Sequence, residues 1–213
     1  MMSSEYFQLE ALNQHLQQEV EELRQLLKPM SGEGKTEPFL FGDRLYRKEL
    51  LVTLTNELGN MSYTLVVIDM QHRFRASRSN ITRKHCLKEI KRAIRYKAHI
   101  LYVEYEDCGS TIPSLLNASD GYDRAYTVSK SDNDGSREIL STIKRHNLPS
   151  KNFRICGVNT DACVLGTVRG LNRLTPKGTQ LIVVENACNT EFSHKSGLAY
   201  LKKMNKVSLV KSR

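Results

Sequence analysis

The sequence lacks several features that would point to other kinds of protein. No run of about 18 apolar residues occurs, so no membrane-spanning helix is predicted. The opening Met1-Met2-Ser3-Ser4-Glu5 carries no apolar h-region, and no secretory signal is read there. Cysteine is present five times, at Cys86, Cys108, Cys156, Cys163 and Cys188, with no C-x-x-C pair. An odd, scattered set argues against a disulfide framework or a zinc knot and for a reducing, cytoplasmic setting. No aromatic stripe is interleaved with basic residues, so nucleic acid is not the expected partner despite a formal net charge of +9. Much of that charge has a simpler origin. Lys84, Lys88, Lys91 and Arg95 recur at helical spacing opposite Leu87, Ile90 and Ile94, the pattern of an amphipathic helix with a solvated basic side.

What is present suits one well-buried domain with an appendage. The chain has 213 residues, 39% hydrophobic and 26% charged, an ordinary globular balance. Three zones follow one another. In residues 1–30, Leu9, Leu12, Leu16, Val20, Leu23 and Leu27 step by three and four, which predicts a long helix over 5–28 with a narrow, coiled-coil-like seam. A lone helix of that length is marginal in water. The expectation is homo-oligomerisation through it, and the alternative is packing back on its own domain. Residues 31–62 read as a linker and a second helix over 43–58, with Leu45, Leu50, Leu51, Leu54 and Leu58 apolar and Gly59 as its stop.

From residue 63 to 213 short β-rich runs alternate with helical stretches. Strands are expected at 64–68, 99–104, 125–128 (weak), 153–157, 180–184 and 206–210. Helices are expected at 82–96, 135–146, 161–173 and 191–203. Continuous apolar strands such as Leu65-Val66-Val67-Ile68 suit a sheet covered on both faces. The alternation implies right-handed βαβ units, hence an α/β, doubly wound, mostly parallel six-stranded sheet of Rossmann-like form with an N-terminal helical extension.

In such a sheet the ligand crevice lies beyond the carboxyl ends of the strands. Asp69 follows the first strand, Glu104, Glu106 and Asp107 the second, Thr127 to Lys130 the third. Asn159, Thr160, Asp161 and Cys163 follow the fourth, and Glu185 and Asn186 the fifth. An acid at the end of an apolar strand is partly desolvated, so the pKa of Asp69 should rise unless a cation is near. Cys163 falls in the first turn of the next helix, where the dipole and free N–H groups favour a thiolate. A base, a nucleophile and a cation are therefore available in Asp69, Cys163 and Lys130. The plainer reading is that the acid is a cap and the cysteine is packing.

Those residues also match a family. Val66-Val67-Ile68-Asp69-Met70-Gln71-His72-Arg73-Phe74 resembles the opening "vvIDMQ-x-x-F" of the isochorismatase-like cysteine hydrolases. Ile155-Cys156-Gly157-Val158-Asn159-Thr160-Asp161-Ala162-Cys163-Val164 resembles their "GvxTdxCV" nucleophile segment. The stretch from Gln180 to Cys188 is similar to their following strand, and Ser193-His194 to what succeeds it. The resemblance spans the third zone in order. It implies a hydrolase fold of that family, with Cys163 as nucleophile, Asp69 as general base and Lys130 as third member. It also implies a cis peptide at Val158-Asn159, with Asn159 and Thr160 beside the substrate and its oxyanion. Phe74 either lines the pocket, as the resemblance implies, or belongs to the core.

By the same resemblance Asp69 takes the thiol proton and the sulfur attacks an amide-type carbonyl. Asp69 then returns the proton to the leaving amine, and water cleaves the thioester. The implied substrate is a small non-peptide amide, with no cofactor; the alternatives are a non-catalytic, oligomeric scaffold that keeps the fold, or a nicotinamidase or isochorismatase proper.

Two departures stand out. The Asp-x-His metal segment of nicotinamidases is replaced by Tyr105-Glu106-Asp107-Cys108-Gly109-Ser110, so no metal is expected. The family tract "K-x-x-x-S-x-F" is altered to Lys130-Ser131-Asp132-Asn133-Asp134-Gly135. Isochorismatase itself cleaves a vinyl ether without needing the cysteine, and nothing here specifies its pocket. Arg169 and His72 are expected at the surface, and Cys156 and Cys188 buried and inert. Cys108 is expected in a loop near the mouth of the crevice, with a bland role preferred over that of a second reactive thiol.

Overall fold

A computed structural model describes residues 63–212, together with two short strands, β1 (Phe39–Phe41) and β2 (Arg44–Tyr46). These two pair antiparallel with Phe41 opposite Arg44. A helix over 43–58 therefore cannot begin where its periodicity suggests. The run Phe39-Leu40-Phe41-Gly42-Asp43-Arg44-Leu45-Tyr46 carries a hairpin pattern, two aromatic-rich segments around Gly-Asp. The rest of that helix, and the whole helix over 5–28, lie outside the described residues.

The main sheet begins with β3 (Thr64–Ile68), whose five residues are all buried. It continues through β4 (His99–Tyr105), β5 (Ala125–Lys130), β6 (Asn152–Val158), β7 (Gln180–Asn189) and β8 (Val207–Val210). The spatial order is β5-β4-β3-β6-β7-β8, and every pairing is parallel. Because β3 is central, its side chains meet a core on each face. Val66 and Ile68 face one cluster, with Ile139, Val168 and Leu171. Leu65 and Val67 face the other, with Cys86, Ile90 and Ala93. Each such side chain contributes roughly 1.5–3 kcal/mol by leaving water.

The helices that cover the sheet are α1 (Asn80–Arg95), the short α2 (Pro113–Leu116), α3 (Ser136–His146), α4 (Leu165–Leu174) and α5 (His194–Lys202). The side chain of Ser79 caps α1 by accepting from Thr82 N. Lys84, Lys88, Lys91 and Arg95 are all exposed, as the solvated basic face requires. One charge sits on the buried side instead. Glu89 is 2% exposed and pairs with Arg154 of β6, clamping α1 to the sheet. Among the described residues no helix is long and apolar enough to cross a membrane.

Two details of the sheet shape its carboxyl rim. Gly157 has φ +126, and a Cβ there would sit 2.0 Å from the Ile68 carbonyl oxygen, so only glycine lets β6 approach the end of β3. Between Ile155 and Gly157 the pairing with β7 slips, from Val183 to Cys188. The fifth strand therefore runs past the expected end at 184. Glu185 and Asn186 fall in that irregularity and not at the crevice. Asn186 instead holds the C-terminal segment, accepting from Ser212 N at 2.7 Å, while Glu185 pairs with Lys211 at 3.7 Å.

Candidate active site

The strand order reverses between β3 and β6, the neighbours on either side of the crevice. Asp69 leaves the end of β3 with φ +50 and donates its N–H to the Val103 carbonyl of β4. That turn directs the chain over the rim, and aspartate tolerates it better than most residues. Beside it, Val158–Asn159 is cis at the end of β6. The Asn159 carbonyl accepts from both Ala162 N and Val164 N, which closes one wide, π-type turn over Thr160–Val164. Cys163 rides on this turn. Regular helix begins only at Leu165. Lys130 ends β5 two strands away and reaches inward.

These three side chains converge. Lys130 Nζ lies 3.0 Å from Asp69 Oδ2, with both side chains fully buried. The same ammonium donates to the Asp132 carbonyl at 2.9 Å and stands 4.3 Å over the Tyr105 ring. Tyr105 is itself held by Gln71, whose Oε1 accepts its N–H and whose Nε2 donates to its carbonyl. Phe74 meets the Tyr105 ring edge-on at 6.4 Å. Neither Asp69 oxygen has a well-aligned donor, so its contact with Lys130 is an ion pair. The Cys163 thiol lies within interaction reach of both Asp69 and Lys130.

Burial governs the electrostatics. It raises the Asp69 carboxyl above its ordinary value, against the opposing pull of Lys130 and of the thiol. The rise agrees with the strand-end argument, although a cation is present. For Cys163 the expectation of a favoured thiolate is reversed. Burial, then the nearby Asp69 charge, push the thiol up to about 12, and Lys130 only partly offsets them. Cys163 is 3% exposed and sits on a wide turn beside a carboxylate, so the helix-end contribution loses.

This has a stability consequence. A folded value above the ordinary thiol value of about 8.5 gives stability that is complete below that pH and lost as pH climbs toward 12. Between about pH 9 and 12 the wild-type chain should lose on the order of 3 kcal/mol more than Cys163→Ala. Denaturant melts at stepped alkaline pH would read the difference, and parallel slopes would contradict it.

The isochorismatase domain matches residues 63–211. The chain belongs to the isochorismatase family. No curated protein sequence matches it. Among solved structures, the nicotinamidase SaPncA from Staphylococcus aureus is 18% identical, with a TM-score of 0.59, covering 70% of this chain and 99% of that one. The MAR1 ribonuclease from Caenorhabditis elegans is 20% identical, with a TM-score of 0.60, covering 72% and 78%. The YcaC gene product from Escherichia coli, an octameric hydrolase of unknown specificity, is 15% identical, with a TM-score of 0.57, covering 71% and 76%. At these identities the likeness is one of fold. It agrees with the parallel six-stranded sheet described above.

Within this isochorismatase-family fold the remaining candidates divide. Asn159 is 9% exposed, and its Oδ1 is buried without a hydrogen-bond partner. Thr160 is fully buried, and its hydroxyl is 2.8 Å from His194 Nδ1, which ties the wide turn to α5. Asp161 serves the same junction. It accepts from Thr190 Oγ1 and Ser193 N, and these bonds hold its carboxyl below the ordinary value although burial opposes them. Phe74 is half-buried at the rim against Tyr105, and His72 and Arg169 are exposed.

Cys86, Cys156 and Cys188 are buried, while Cys108 is half-exposed. Glu106 and Asp107 are exposed, and among the described residues no three His, Cys, Asp or Glu side chains gather as a metal site. The residue missed by sequence reasoning is Asn133, whose Oδ1 accepts the Cys163 S–H at 3.2 Å. It lies in the altered tract after Lys130. Only the departure itself marked that loop.

Proposed function

We propose that this chain is a cysteine hydrolase that cleaves the C–N bond of a small, non-peptide amide without a metal. The observation that carries the reading is the fully buried Asp69–Lys130 ion pair beside the Cys163 thiol. A buried carboxylate and ammonium with no evident packing advantage are costly to keep, and at a ligand crevice they are more readily understood as chemistry.

Each group has a role its surroundings support. Asp69, raised by burial, can take the thiol proton as the sulfur attacks the carbonyl carbon. It can return that proton to the leaving amine and later deprotonate the water that cleaves the thioester. Lys130 stabilises whichever partner carries the negative charge, and the cluster titrates as a unit. Backbone N–H groups at the cis peptide, Asn159, and at Cys163 supply the donors for the developing oxyanion, and Phe74 lines the entrance. The absence of histidine from the 105–110 loop supports the metal-free reading. The test is a panel of small primary amides assayed for ammonia release, with Cys163→Ala as control. Release that is equal in the two proteins would reject it.

Assembly through residues 5–28 belongs to the same proposal, supported by the three-and-four leucine spacing. Comparing the hydrodynamic mass of the full chain with that of a chain starting at residue 40 should show fewer subunits in the shorter one. An unchanged subunit number would remove the coiled-coil role.

A further inference from the structure

The loop of residues 131–135 joins β5 to α3 and is fastened on both sides of Asn133. Before it, the Asp132 carbonyl accepts from Lys130 Nζ, and the Asp132 carboxylate accepts from Asn133 N at 2.6 Å. After it, the Thr167 hydroxyl of α4 bridges the loop, donating to the Asn133 carbonyl at 3.3 Å and accepting from Gly135 N at 3.1 Å. Gly166 permits the approach, since a Cβ there would fall 2.9 Å from the Asn133 carbonyl oxygen. Asp134 completes the anchor. Its Oδ1 accepts from Ser136 N at 2.9 Å, and its Oδ2 lies 4.0 Å from Arg173. The backbone of Asn133 is thus fixed, and its carboxamide oxygen takes the S–H of Cys163 at 3.2 Å.

The thiol proton therefore rests on Asn133, with the Asp69 carboxylate within interaction reach as the alternative acceptor. Asp69 can remove its proton, and Asn133 can only hold it. A neutral amide oxygen that accepts from S–H stabilises the protonated sulfur and not the thiolate. We propose that Asn133 is a positioning residue that holds the nucleophile as a neutral thiol, so that in turnover its proton must turn from Asn133 to Asp69 as the sulfur attacks the substrate carbonyl. The inference rests on reading Cys163 as the nucleophile. The charged groups that face the sulfur are Asp69 from the end of β3 and Lys130 from the end of β5. On its own turn Asp161 is engaged by Thr190 and Ser193, and His194 of α5 is engaged by Thr160. The Asp132 carboxylate is occupied by the Asn133 N–H. The transfer needs no further reactant: the S–H bond breaks, an O–H bond forms on Asp69, and the electron pair stays on sulfur.

The test is the pH dependence of Cys163 alkylation by iodoacetamide in the full chain, read on the Cys163 peptide by mass spectrometry. Asn133→Ala removes the acceptor and should alkylate about 5-fold faster near neutral pH, with its midpoint moved to lower pH. Asn133→Asp keeps the shape and adds a negative charge, so it should alkylate more slowly, with its midpoint moved up. A residue of purely structural importance would not move the two variants in opposite directions. Equal or slower alkylation in Asn133→Ala, at an unchanged melting temperature, overturns the inference. Faster alkylation in Asn133→Asp overturns it independently, should the alanine variant melt early. Alkylation needs no turnover, so a chain that released no ammonia from any amide would reject the proposed function while leaving this result readable.

Discussion

Cys163→Ala is expected to abolish hydrolysis of every amide the wild-type chain cleaves, a fall of about 10⁴-fold or more. In the proposed reaction the attack requires a sulfur electron pair at the rim between β3 and β6, and alanine offers none. Asp69 and Lys130 would remain, but a carboxylate without its nucleophile can only activate water at a poorly placed distance. The fold should survive. Cys163 is a small buried residue packed with Val164, Val168 and their neighbours, and removing one sulfur costs about 1 kcal/mol. Ammonia release and a thermal melt on the same preparation separate the two effects. An active Cys163→Ala protein would transfer the chemistry to another group, and an unfolded one would leave the catalytic question to Cys163→Ser.

Lys130→Met should produce the largest loss of stability, about 3 kcal/mol at neutral pH. It leaves the Asp69 carboxyl buried without its cation, and burial already raises that carboxyl above its ordinary value. Such a group favours the folded state while protonated. Its contribution is complete below the unfolded value of about 4 and is lost as pH rises through the folded one. The deficit of Lys130→Met should therefore grow from pH 4 to pH 8. Adding Asp69→Asn removes the stranded charge and should recover most of the stability but none of the activity. If the single variant were as stable as wild type at pH 8, the ion pair would not be buried as described.

Much of the fold was legible because the physics that built it is local and repetitive. Leu65 to Ile68 are apolar without a break because β3 is covered on both faces, and its bounds were read correctly. β5 looked weak because it is an edge strand in which only Val128 and Lys130 are buried. Its last two residues were missed, although one of them, Lys130, matters most. The end of β7 was hidden by the slip between Ile155 and Gly157, a tertiary accommodation that leaves no periodic trace. At 43–58 the leucine spacing fitted a helix, but Phe-Leu-Phe-Gly-Asp-Arg-Leu-Tyr fitted a hairpin better at its start.

The site was legible as a set of positions and less so as an environment. Placing Asp69, Lys130 and Cys163 at strand ends followed from topology and family resemblance together. The ionisation of the thiol did not. Its direction depends on how deeply the sulfur is covered and how near a carboxylate lies, quantities that a helix-start argument omits. Asn133 was invisible for the same reason. Its role exists only because Thr167 and Gly166, far along the chain, dock the loop against α4.

The rate of Cys163 alkylation as a function of pH, compared among wild type, Asp69→Asn and Lys130→Met, asks most directly whether the three groups share charge. The geometry predicts opposite displacements. Without Asp69 the thiol loses a negative neighbour and its midpoint falls, so alkylation quickens while amide turnover disappears. Without Lys130 the midpoint rises and alkylation slows. Three superimposable profiles would mean that the sulfur does not feel either partner, and that outcome would contradict the account.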